Sequence, residues 1–524
     1  MEPNYVISLE IGSSAVSVSA ATFAMQSGAV RGPMTIFAVC REPLYHSVRY
    51  GRILNVEEVA RSVENAVGRL AGAPELAGKK IMGVYAGVGG RSLMSKLIKV
   101  ELPLPNEQEI TDDIIERLQQ DAMASVDNRL EVLDIIPQSY TVDGVFARQP
   151  VGTYGRRIAA EFNMIVCNPL NTLNLERVVC DRCHLDLCGM VVRPQALGDL
   201  VLGPDDTKPG CMLVDLGAET TTISIYKEGR LRYLSTVPLG SHHITADLAS
   251  GLGVVEAQAE QIKITQGNAL EDSTMRTPEQ RQVDEFVQSR VIEIIANIVA
   301  HIGFAKFTID ELRAGIIVTG QGVKLKNFCK LLEVQSHLPV RVAQVPNIIR
   351  VSAQYQGDRS DLLPLMAISA EGAVRSNEPD ALPCVVVPAP KVVKTAAPAK
   401  PKESDSAPAW RIDGDEDDRQ GADYNYAGNG GLGGGYGSDA GYDGAPGRYD
   451  GDDVLLDDDE AERRRRDEAE RAEQQRRKEA ERRRREEEKR AAEAARRNTP
   501  SLWDRILTRV GNLIDKTDNG YDND

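Results

Sequence analysis

The sequence is poor in aromatic residues and in cysteine. Aromatic side chains make up 5% of its 524 residues, with only two tryptophans, and eight cysteines are scattered along the chain. The apolar fraction of 42% is slightly below that of an average globular protein, which predicts that part of the chain forms no core. Cysteines this sparse fit a reducing compartment better than a disulfide framework.

Two other features are missing. No stretch approaches 18 uninterrupted apolar residues, so no transmembrane helix is expected and any membrane contact must be peripheral. The first eight residues lack the basic and apolar segments of a secretory signal peptide, so we expect a cytoplasmic protein. The net charge of −16 argues against nucleic-acid binding, because a strongly acidic protein repels phosphates.

The charge is unevenly distributed. Residues 1–380 contain 36 basic and 45 acidic residues, and residues 381–459 contain 7 and 16. Residues 460–497 are almost entirely Arg, Glu, Lys, Ala and Gln, with 16 basic and 12 acidic residues. Only the first region has the composition of a folded protein. The full length of 524 residues predicts two to four domains at about 100–200 residues per domain.

Residues 1–380 have the periodicities of a layered α/β protein. Short apolar or alternating runs predict strands, and segments with helical spacing lie between them. The predicted strands include Tyr5–Leu9, Val16–Thr22, Ile158–Val166, Cys211–Leu216 and Thr221–Tyr226. The predicted helices include Val56–Leu70, Thr111–Ser125, Leu173–His184, Val283–Phe307 and Leu325–Leu332.

The C-terminal 144 residues form a different kind of polymer. Residues 381–459 are rich in Pro, Gly and Asp, which predicts a disordered linker with a root-mean-square span of roughly 50 Å. Residues 460–497 lack an apolar seam, so Glu/Arg pairs four residues apart predict an exposed single helix of about 57 Å. The alternative for this segment is a solvated, partly frayed charged tract.

The last segment, 498–524, contains an amphipathic helix. Ser501 and Asp504 suit its N-cap and first turn. An apolar stripe of this kind suits burial at the membrane headgroup boundary, and the alternative is docking in a protein groove. The stripe consists of Leu502, Trp503, Ile506, Leu507, Val510, Leu513 and Ile514.

A weak internal repeat joins residues 8–18 and 214–225. Each copy is an apolar strand that ends in an acid, then a glycine, then small or hydroxyl residues, then a second strand. A glycine turn lets backbone N–H groups approach a phosphate closely, and an acid such as Glu10 or Asp215 can hold a hydrated Mg²⁺. Ordinary turns also produce this pattern. A third segment, 314–325, is an apolar strand followed by a Thr-Gly-x-Gly turn and a helix, which suits a ligand's polar groups or a plain connection.

These parts, in this order, resemble the actin/Hsp70/sugar-kinase superfamily, and more closely the FtsA family of bacterial cell-division proteins. The residues that carry the closer resemblance are 50–57, 134–143 with 150–152, 237–248 and 259–263. The resemblance covers about residues 1–375 and the C-terminal helix.

The resemblance implies an α/β, actin-like two-lobed ATPase fold with an FtsA-type 1C insert subdomain, followed by the disordered linker and C-terminal helices. The implied segments are 1–83 (subdomain 1A, first part), 84–165 (1C), 166–194 (1A, second part), 195–355 (2A and 2B), 356–380 (final 1A helix), 381–459, 460–497 and 498–524.

The family resemblance also implies a function. Such proteins bind ATP between two halves, polymerise beneath the cytoplasmic membrane, attach through the terminal helix and tether FtsZ. Expected partners are therefore the FtsZ C-terminal tail, other copies of the chain, later divisome proteins and the membrane surface, with no nucleic acid. The implied location is the cytoplasmic side of the inner membrane at the division site, as a peripheral protein of the septum.

Matching the family motifs residue by residue assigns the site. Glu10 and Asp215 would hold Mg²⁺ through water, and Arg290, on a predicted helix of 2B, would meet the acidic FtsZ tail or simply be solvated. The nucleotide would contact Gly12, Ser13 and Ser14 in the first phosphate loop, Asp215, Gly217, Ala218, Glu219, Thr220 and Thr221 in the second, Glu260 and Lys263 beside the ribose and adenine, and Gly320, Gln321, Gly322 and Lys324 in the adenosine loop.

Several residues depart from the family pattern. The first loop has Glu10 where Asp is usual and Ala15 where Lys is common, the second has Ala218 for a Gly and Thr222 where some members have Asp, and the adenosine loop has Gln321 for a Gly. We therefore expect ATP binding with weak or absent hydrolysis. Two rival functions remain: an ATP-dependent small-molecule kinase of the same superfamily, and an actin-like pilus-assembly protein.

One cysteine-rich segment is a possible metal site. Cys180, Cys183, His184 and Cys188 have residue types that bind zinc, but no second pair lies at finger spacing. We favour buried thiols over a metal site.

Overall fold

A computed structural model describes residues 4–388, apart from 27–28, 271–275, 377 and 379. The predictions for most of the linker, for the charged segment and for the amphipathic helix with Trp503 and Leu507 lie outside the described residues. In the described part, strands and helices alternate as predicted and build two lobes and an insert.

The strands are β1 (Asn4–Ile11), β2 (Ala15–Gln26), β3 (Ala29–Pro43), β4 (Val48–Arg49), β5 (Arg52–Ile53), β6 (Lys80–Ile81), β7 (Gly83–Val88), β8 (Met94–Glu109), β9 (Glu131–Val142), β10 (Val145–Phe146), β11 (Tyr154–Cys167), β12 (Asp186–Val192), β13 (Cys211–Leu216), β14 (Thr221–Lys227), β15 (Arg230–Val237), β16 (Ile316–Thr319), β17 (Val340–Val342), β18 (Ile349–Val351) and β19 (Val385–Val386). The α-helices are α1 (Val56–Leu70), α2 (Asp112–Ala124), α3 (Pro169–Glu176), α4 (Arg193–Val201), α5 (Pro204–Thr207), α6 (His242–Leu252), α7 (Glu256–Gln266), α8 (Pro278–Phe304), α9 (Phe328–Ser336) and α10 (Leu363–Arg375).

The first lobe is built on a six-stranded sheet in the order β12-β7-β1-β2-β3-β18. Strands β1 and β2 form the first predicted hairpin, with Glu10 opposite Ser17. Helix α1 begins at the Asn55 cap, and its side chains at three- and four-residue spacing are buried against β2 and β3. Helix α10 packs against β1, where the buried Ser369 hydroxyl lies 2.6 Å from that of Ser8.

The second lobe contains the second hairpin. Strands β13 and β14 pair antiparallel with Asp215 opposite Thr222, and β16 runs parallel beside β13. Helix α8, which a capping box at Thr277 and Gln280 begins, packs its apolar face into this core. By length and composition α8 could cross a membrane, but core helices of soluble proteins satisfy the same criteria. Its buried apolar residues are Val283, Val287, Val291, Ile294, Ile295, Ile298 and Ile302.

The insert consists of β8, β9, β10, β11 and α2, around a small core of its own. Strand β8 also pairs with β15 at Met94 and Ser235, so the insert and the second lobe share one nine-stranded sheet.

The helix predicted after β11 differs from the one in the structure. The predicted helix Leu173–His184 begins earlier, at Pro169, because the Asn168 side chain caps it. After Glu176 the backbone widens into a π-helical turn over Arg177–Arg182. Val178 and Val179 are thereby buried side by side, whereas Cys180 is exposed.

Candidate functional site

A cleft of about 880 Å³ lies between the two lobes and is lined by residues of both hairpins. Fourteen of the fifteen predicted nucleotide contacts line it. The exception is Thr221, which is buried and donates its hydroxyl hydrogen to the Leu239 carbonyl over 2.6 Å. Its side chain therefore supports the floor of the second loop and does not face the cleft.

The two predicted phosphate loops have the same turn. In the first, the N–H of Gly12 donates to the Ala15 carbonyl at 2.9 Å, and in the second the N–H of Gly217 donates to the Thr220 carbonyl at 2.9 Å. A Cβ atom would come within 3.3 Å of the carbonyl oxygen in the first loop and 3.1 Å in the second. The weak sequence repeat is thus a repeat of geometry, and it sets the two loops at the ends of β1 and β13.

A segment of the first lobe reaches over both loops. The N–H of Gly51 donates to the Ser13 hydroxyl at 3.1 Å, and the N–H of Tyr50 donates to the Glu219 carboxylate at 2.5 Å. Gly51 has φ +73°, and a Cβ there would lie 2.5 Å from the Cα of Gly90, so only glycine fits this approach. The sequence motif 50–57 was predicted by family resemblance, but its contact with the loops was not.

The predicted ribose and adenine side of the cleft contains an ion pair between the buried Lys263 and the partly exposed Glu260. The Lys263 ammonium lies 2.7 Å from the Glu260 carboxylate and 3.0 Å from the Thr245 hydroxyl. Burial opposes the charged form of Glu260, but hydrogen bonds from Lys263 and Thr245 outweigh it and lower the pKa of Glu260. Glu260 is therefore ionised at neutral pH, and its ion pair with Lys263 offers polar atoms to a ligand.

The adenosine turn packs against the second phosphate loop. Gly320 has φ +92°, and a Cβ there would lie 2.4 Å from the Leu216 carbonyl oxygen. The following residues, Gln321–Lys324, form a 3₁₀ turn, and the next α-helix begins only at Phe328. The prediction that this turn opens directly into an α-helix at Leu325 was therefore wrong.

Lys324 is turned toward the first lobe. Its ammonium lies 2.9 Å from the Asp358 carboxylate and 2.6 Å from the Asp361 carboxylate. The residue lines the cleft as predicted, and it also ties the adenosine turn to the segment that leads into α10.

The two carboxylates predicted to hold Mg²⁺, Glu10 and Asp215, both contact an arginine. The Arg193 guanidinium lies 2.9 Å from the Glu10 carboxylate and 3.3 Å from the Asp215 carboxylate, and no side chain of the three is more than 17% exposed. Burial is the largest influence on Glu10 and raises its pKa despite Arg193. Among residues 4–388, within the described ranges, no group of three or more His, Cys, Asp or Glu side chains could hold a metal. A hydrated Mg²⁺ between these carboxylates would lie against a guanidinium, so the donor set does not fit the predicted ion.

Arg193 was missed from the sequence. The only signal was its position, since it directly follows the apolar strand β12 and is the first residue of α4, before Pro194. An end-of-strand position in an α/β sheet is where ligand-facing residues gather, but one arginine there is no motif.

The remaining predicted site residue, Arg290, is paired within its own lobe. Its guanidinium lies 2.6 Å from the Asp247 carboxylate and also contacts Glu293. The side chain is 25% exposed, so it is neither a freely solvated arginine nor an unpaired one. Its contact with an FtsZ tail stays a prediction, and an acidic tail would compete with these two carboxylates.

The cysteine-rich segment is only partly buried. Cys180 is exposed, which contradicts the prediction for that thiol, and Cys183 is half-buried with its Sγ 3.5 Å from the Ala60 carbonyl oxygen. Cys188 lies 3.7 Å, sulfur to sulfur, from the buried Cys384. The sequence offered no sign of this approach, because the two cysteines are 196 residues apart.

The chain is similar to known proteins over its insert and its second lobe. Residues 212–355 match the family model of the cell division protein FtsA, and residues 90–166 match that of the SHS2 domain inserted in FtsA. The chain is 28% identical over 319 residues to FtsA of Porphyromonas gingivalis, covering 58% of the chain and 65% of that relative. It is also 28% identical to FtsA of Pseudomonas aeruginosa, covering 56% of the chain and 73% of that relative.

The fold is also found in a solved structure. A chain of the PilM-PilN type IV pilus biogenesis complex superimposes with a TM-score of 0.51 at 14% identity, covering 71% of this chain and 99% of that one. Similarity at this level concerns the fold alone. Both family models lie in the order that the fold requires, with the SHS2 match over the insert and the FtsA match over the second lobe. The chain is therefore similar to the FtsA family over its insert and second lobe, and it has the predicted actin-like two-lobed fold with an SHS2-type insert.

Proposed function

We propose that this protein is an actin-like, ATP-binding cell-division protein that polymerises at the cytoplasmic face of the inner membrane. It tethers the FtsZ ring there and recruits later divisome proteins. The cell-division role rests on similarity to the FtsA family, whose matched relatives are named as cell division proteins.

The observation that supports ATP binding best is the pair of matching turns at Gly12 and Gly217. Each presents backbone and hydroxyl groups to the cleft from a different lobe, and the adenosine turn at Gly320 closes one end. A cleft of about 880 Å³ is within the usual size of a small-molecule site, roughly 300–1,000 Å³. We propose that hydrolysis is weak or absent, because the two carboxylates expected to hold the metal, Glu10 and Asp215, are both paired with Arg193.

The kinase alternative has less support. Such an enzyme needs a carboxylate that is free to accept a proton from the substrate hydroxyl near the terminal phosphate. Glu10 and Asp215 are the acids at the cleft floor, and both are paired with Arg193. The pilus alternative shares the fold, but two matched FtsA-type models favour the cell-division function.

Attachment to the membrane is assigned to the apolar stripe of 498–524. A single such helix binds weakly, so a filament that presents many copies gains avidity. The FtsZ tail is proposed to bind the 2B region near Arg290, and self-contacts complete the filament.

The first experiment measures ATP binding by calorimetry and then images the full chain on a lipid monolayer with ATP. We expect ATP binding and ordered filaments. Absence of any ATP binding contradicts the nucleotide proposal, and soluble monomers that phosphorylate a sugar favour the kinase.

A second experiment tests the anchor. Changing Trp503→Glu together with Leu507→Glu should release the full chain from anionic liposomes in co-sedimentation. A matched double variant off the stripe, Thr508→Glu with Asn512→Glu, adds the same charge. It should co-sediment to a larger extent than the stripe variant. Equal sedimentation of the wild type and the stripe variant contradicts the anchor.

A further inference from the structure

Arg193 joins the two lobes at the floor of the cleft. It is the first residue of α4, and its guanidinium lies between Glu10, at the end of β1, and Asp215, at the end of β13. Gly89 forms a wall beside it, since a Cβ there would lie 3.3 Å from the Arg193 Nε. The cation is thus held on three sides by the fold and is oriented before any ligand arrives.

The phosphate loops themselves bring no cation to this place. The first loop continues from Gly12 through two serines to Ala15, and the second contains Glu219. Elsewhere in the cleft, Lys263 and Lys324 are each paired with carboxylates. Arg41 also lines the cleft on the Glu10 side, so Arg193 and Arg41 are the arginines that face this floor among the described residues.

We propose that Arg193 is the resident cation of the phosphate subsite, filling the position between Glu10 and Asp215 that a divalent metal would need, so that ATP binds without Mg²⁺. This inference rests on the proposed nucleotide binding. It deepens that proposal by stating which form of the nucleotide binds: metal-free ATP and not its magnesium complex.

The chemistry of the guanidinium suits this role. It has five N–H donors in a planar fork, and single contacts with Glu10 and Asp215 leave donors for a phosphate oxygen. Arginine–phosphate pairs are often bidentate and are stronger than neutral hydrogen bonds. A hydrated Mg²⁺ would instead have to displace a buried cation from both carboxylates before it gained any ligand, which is costly for a tightly packed ion pair.

The test compares ATP affinity of the full chain in EDTA and in millimolar MgCl₂ by calorimetry. For the wild type we expect the two dissociation constants to agree within about threefold, because a resident cation makes the metal dispensable. This comparison needs no variant, so it stands even if substitutions at the cleft floor impair folding.

Variants then identify the cation. Arg193→Gln keeps hydrogen-bond donors but removes the charge, and we expect ATP affinity in EDTA to fall at least about tenfold, the loss typical of a charged hydrogen bond. Mg²⁺ should restore part of that affinity, since the two carboxylates are then free. The control Arg313→Gln makes the same change at an exposed residue and should bind like the wild type.

The outcomes separate the two proposals. ATP binding by the wild type that requires Mg²⁺ overturns the assignment of Arg193 and leaves nucleotide binding standing. So does an Arg193→Gln variant that is folded by circular dichroism and binds ATP in EDTA as tightly as the wild type. Absence of binding in both buffers overturns nucleotide binding, and the inference with it.

Discussion

The backbone N–H of Tyr50, in the first lobe, donates a hydrogen bond of 2.5 Å to the Glu219 carboxylate in the second lobe. Gly51 beside it contacts Ser13 of the first phosphate loop, so one short segment holds both loops. Hydrogen bonds to a charged acceptor contribute more than neutral ones, typically about 1.5–3 kcal/mol. This hydrogen bond therefore links the two lobes beside the cleft.

Removing that acceptor should loosen the segment. With Glu219→Ala, we expect amide hydrogen exchange in residues 46–52 to accelerate by about tenfold or more, because the lost bond lowers the local opening free energy. Mass-spectrometric exchange on the full chain measures this. The control Glu333→Ala, at an exposed position of α9, should leave exchange in 46–52 unchanged. Equal protection in wild type and Glu219→Ala would mean that the contact carries no stability.

Gly320 should tolerate no side chain. A Cβ there meets the Leu216 carbonyl oxygen at 2.4 Å in addition to the cost of φ +92°, so Gly320→Ala should lose several kcal/mol of unfolding free energy and most ATP affinity. The matched control is Gly229→Ala, which has φ +74° and open space around the added atom.

That control isolates the backbone cost, about 1 kcal/mol, and should leave ATP binding intact. Urea denaturation and calorimetry give the two quantities for each variant. A Gly320→Ala protein that is as stable as Gly229→Ala, or binds ATP normally, would contradict the tight packing of the adenosine turn.

His301 should make stability depend on pH. Its Nδ1 lies 2.7 Å from the Tyr233 hydroxyl, and burial lowers the pKa of His301 in the folded state. The unfolded chain then binds a proton at a higher pH than the folded chain does, so this contribution is lost as pH falls below the ordinary histidine pKa of about 6.5.

The measurement is urea unfolding at pH 7.5 and at pH 5.5 for the wild type and His301→Gln. The wild type should lose more unfolding free energy between the two values than the variant, which cannot take up the proton. The same loss in both proteins would show that His301 does not cause the dependence.

The segment after α10 should be trapped by a disulfide. Strand β19 pairs with β6, and this brings the Cys384 sulfur within 3.7 Å of that of Cys188. Mild oxidation with copper phenanthroline, in which oxygen accepts the two electrons and two protons of the thiols, should remove two free thiols per chain. Cys384→Ser should abolish this loss, whereas Cys329→Ser should not. Retention of all eight thiols in the oxidised wild type would contradict the docking of β19.

Local sequence predicted the parts that depend on local physics. The alternation of apolar residues in β1 and β13, the glycine turns that follow them and the capped apolar face of α1 are short-range patterns, and all three were found where predicted. Fourteen of the fifteen predicted nucleotide contacts line the cleft, and the exception is the buried Thr221. The sequence did not predict the π-helical turn at Arg177–Arg182 or the 3₁₀ turn at Gln321–Lys324. The backbone helix is wider in the first and tighter in the second, and tertiary packing rather than the spacing of apolar residues sets this difference.

By itself, the sequence determined the class of fold, the two glycine turns and the resemblance to the FtsA family, because each depends on residues that are close along the chain. The tertiary structure alone decided which charges meet at the cleft floor. Glu10, Arg193 and Asp215 are separated by 183 and 22 positions, and only the tertiary fold brings the Arg193 guanidinium within 3.3 Å of both carboxylates. Coulombic attraction depends on distance in space, so a pattern along the chain predicted a metal pair where the fold supplies an arginine.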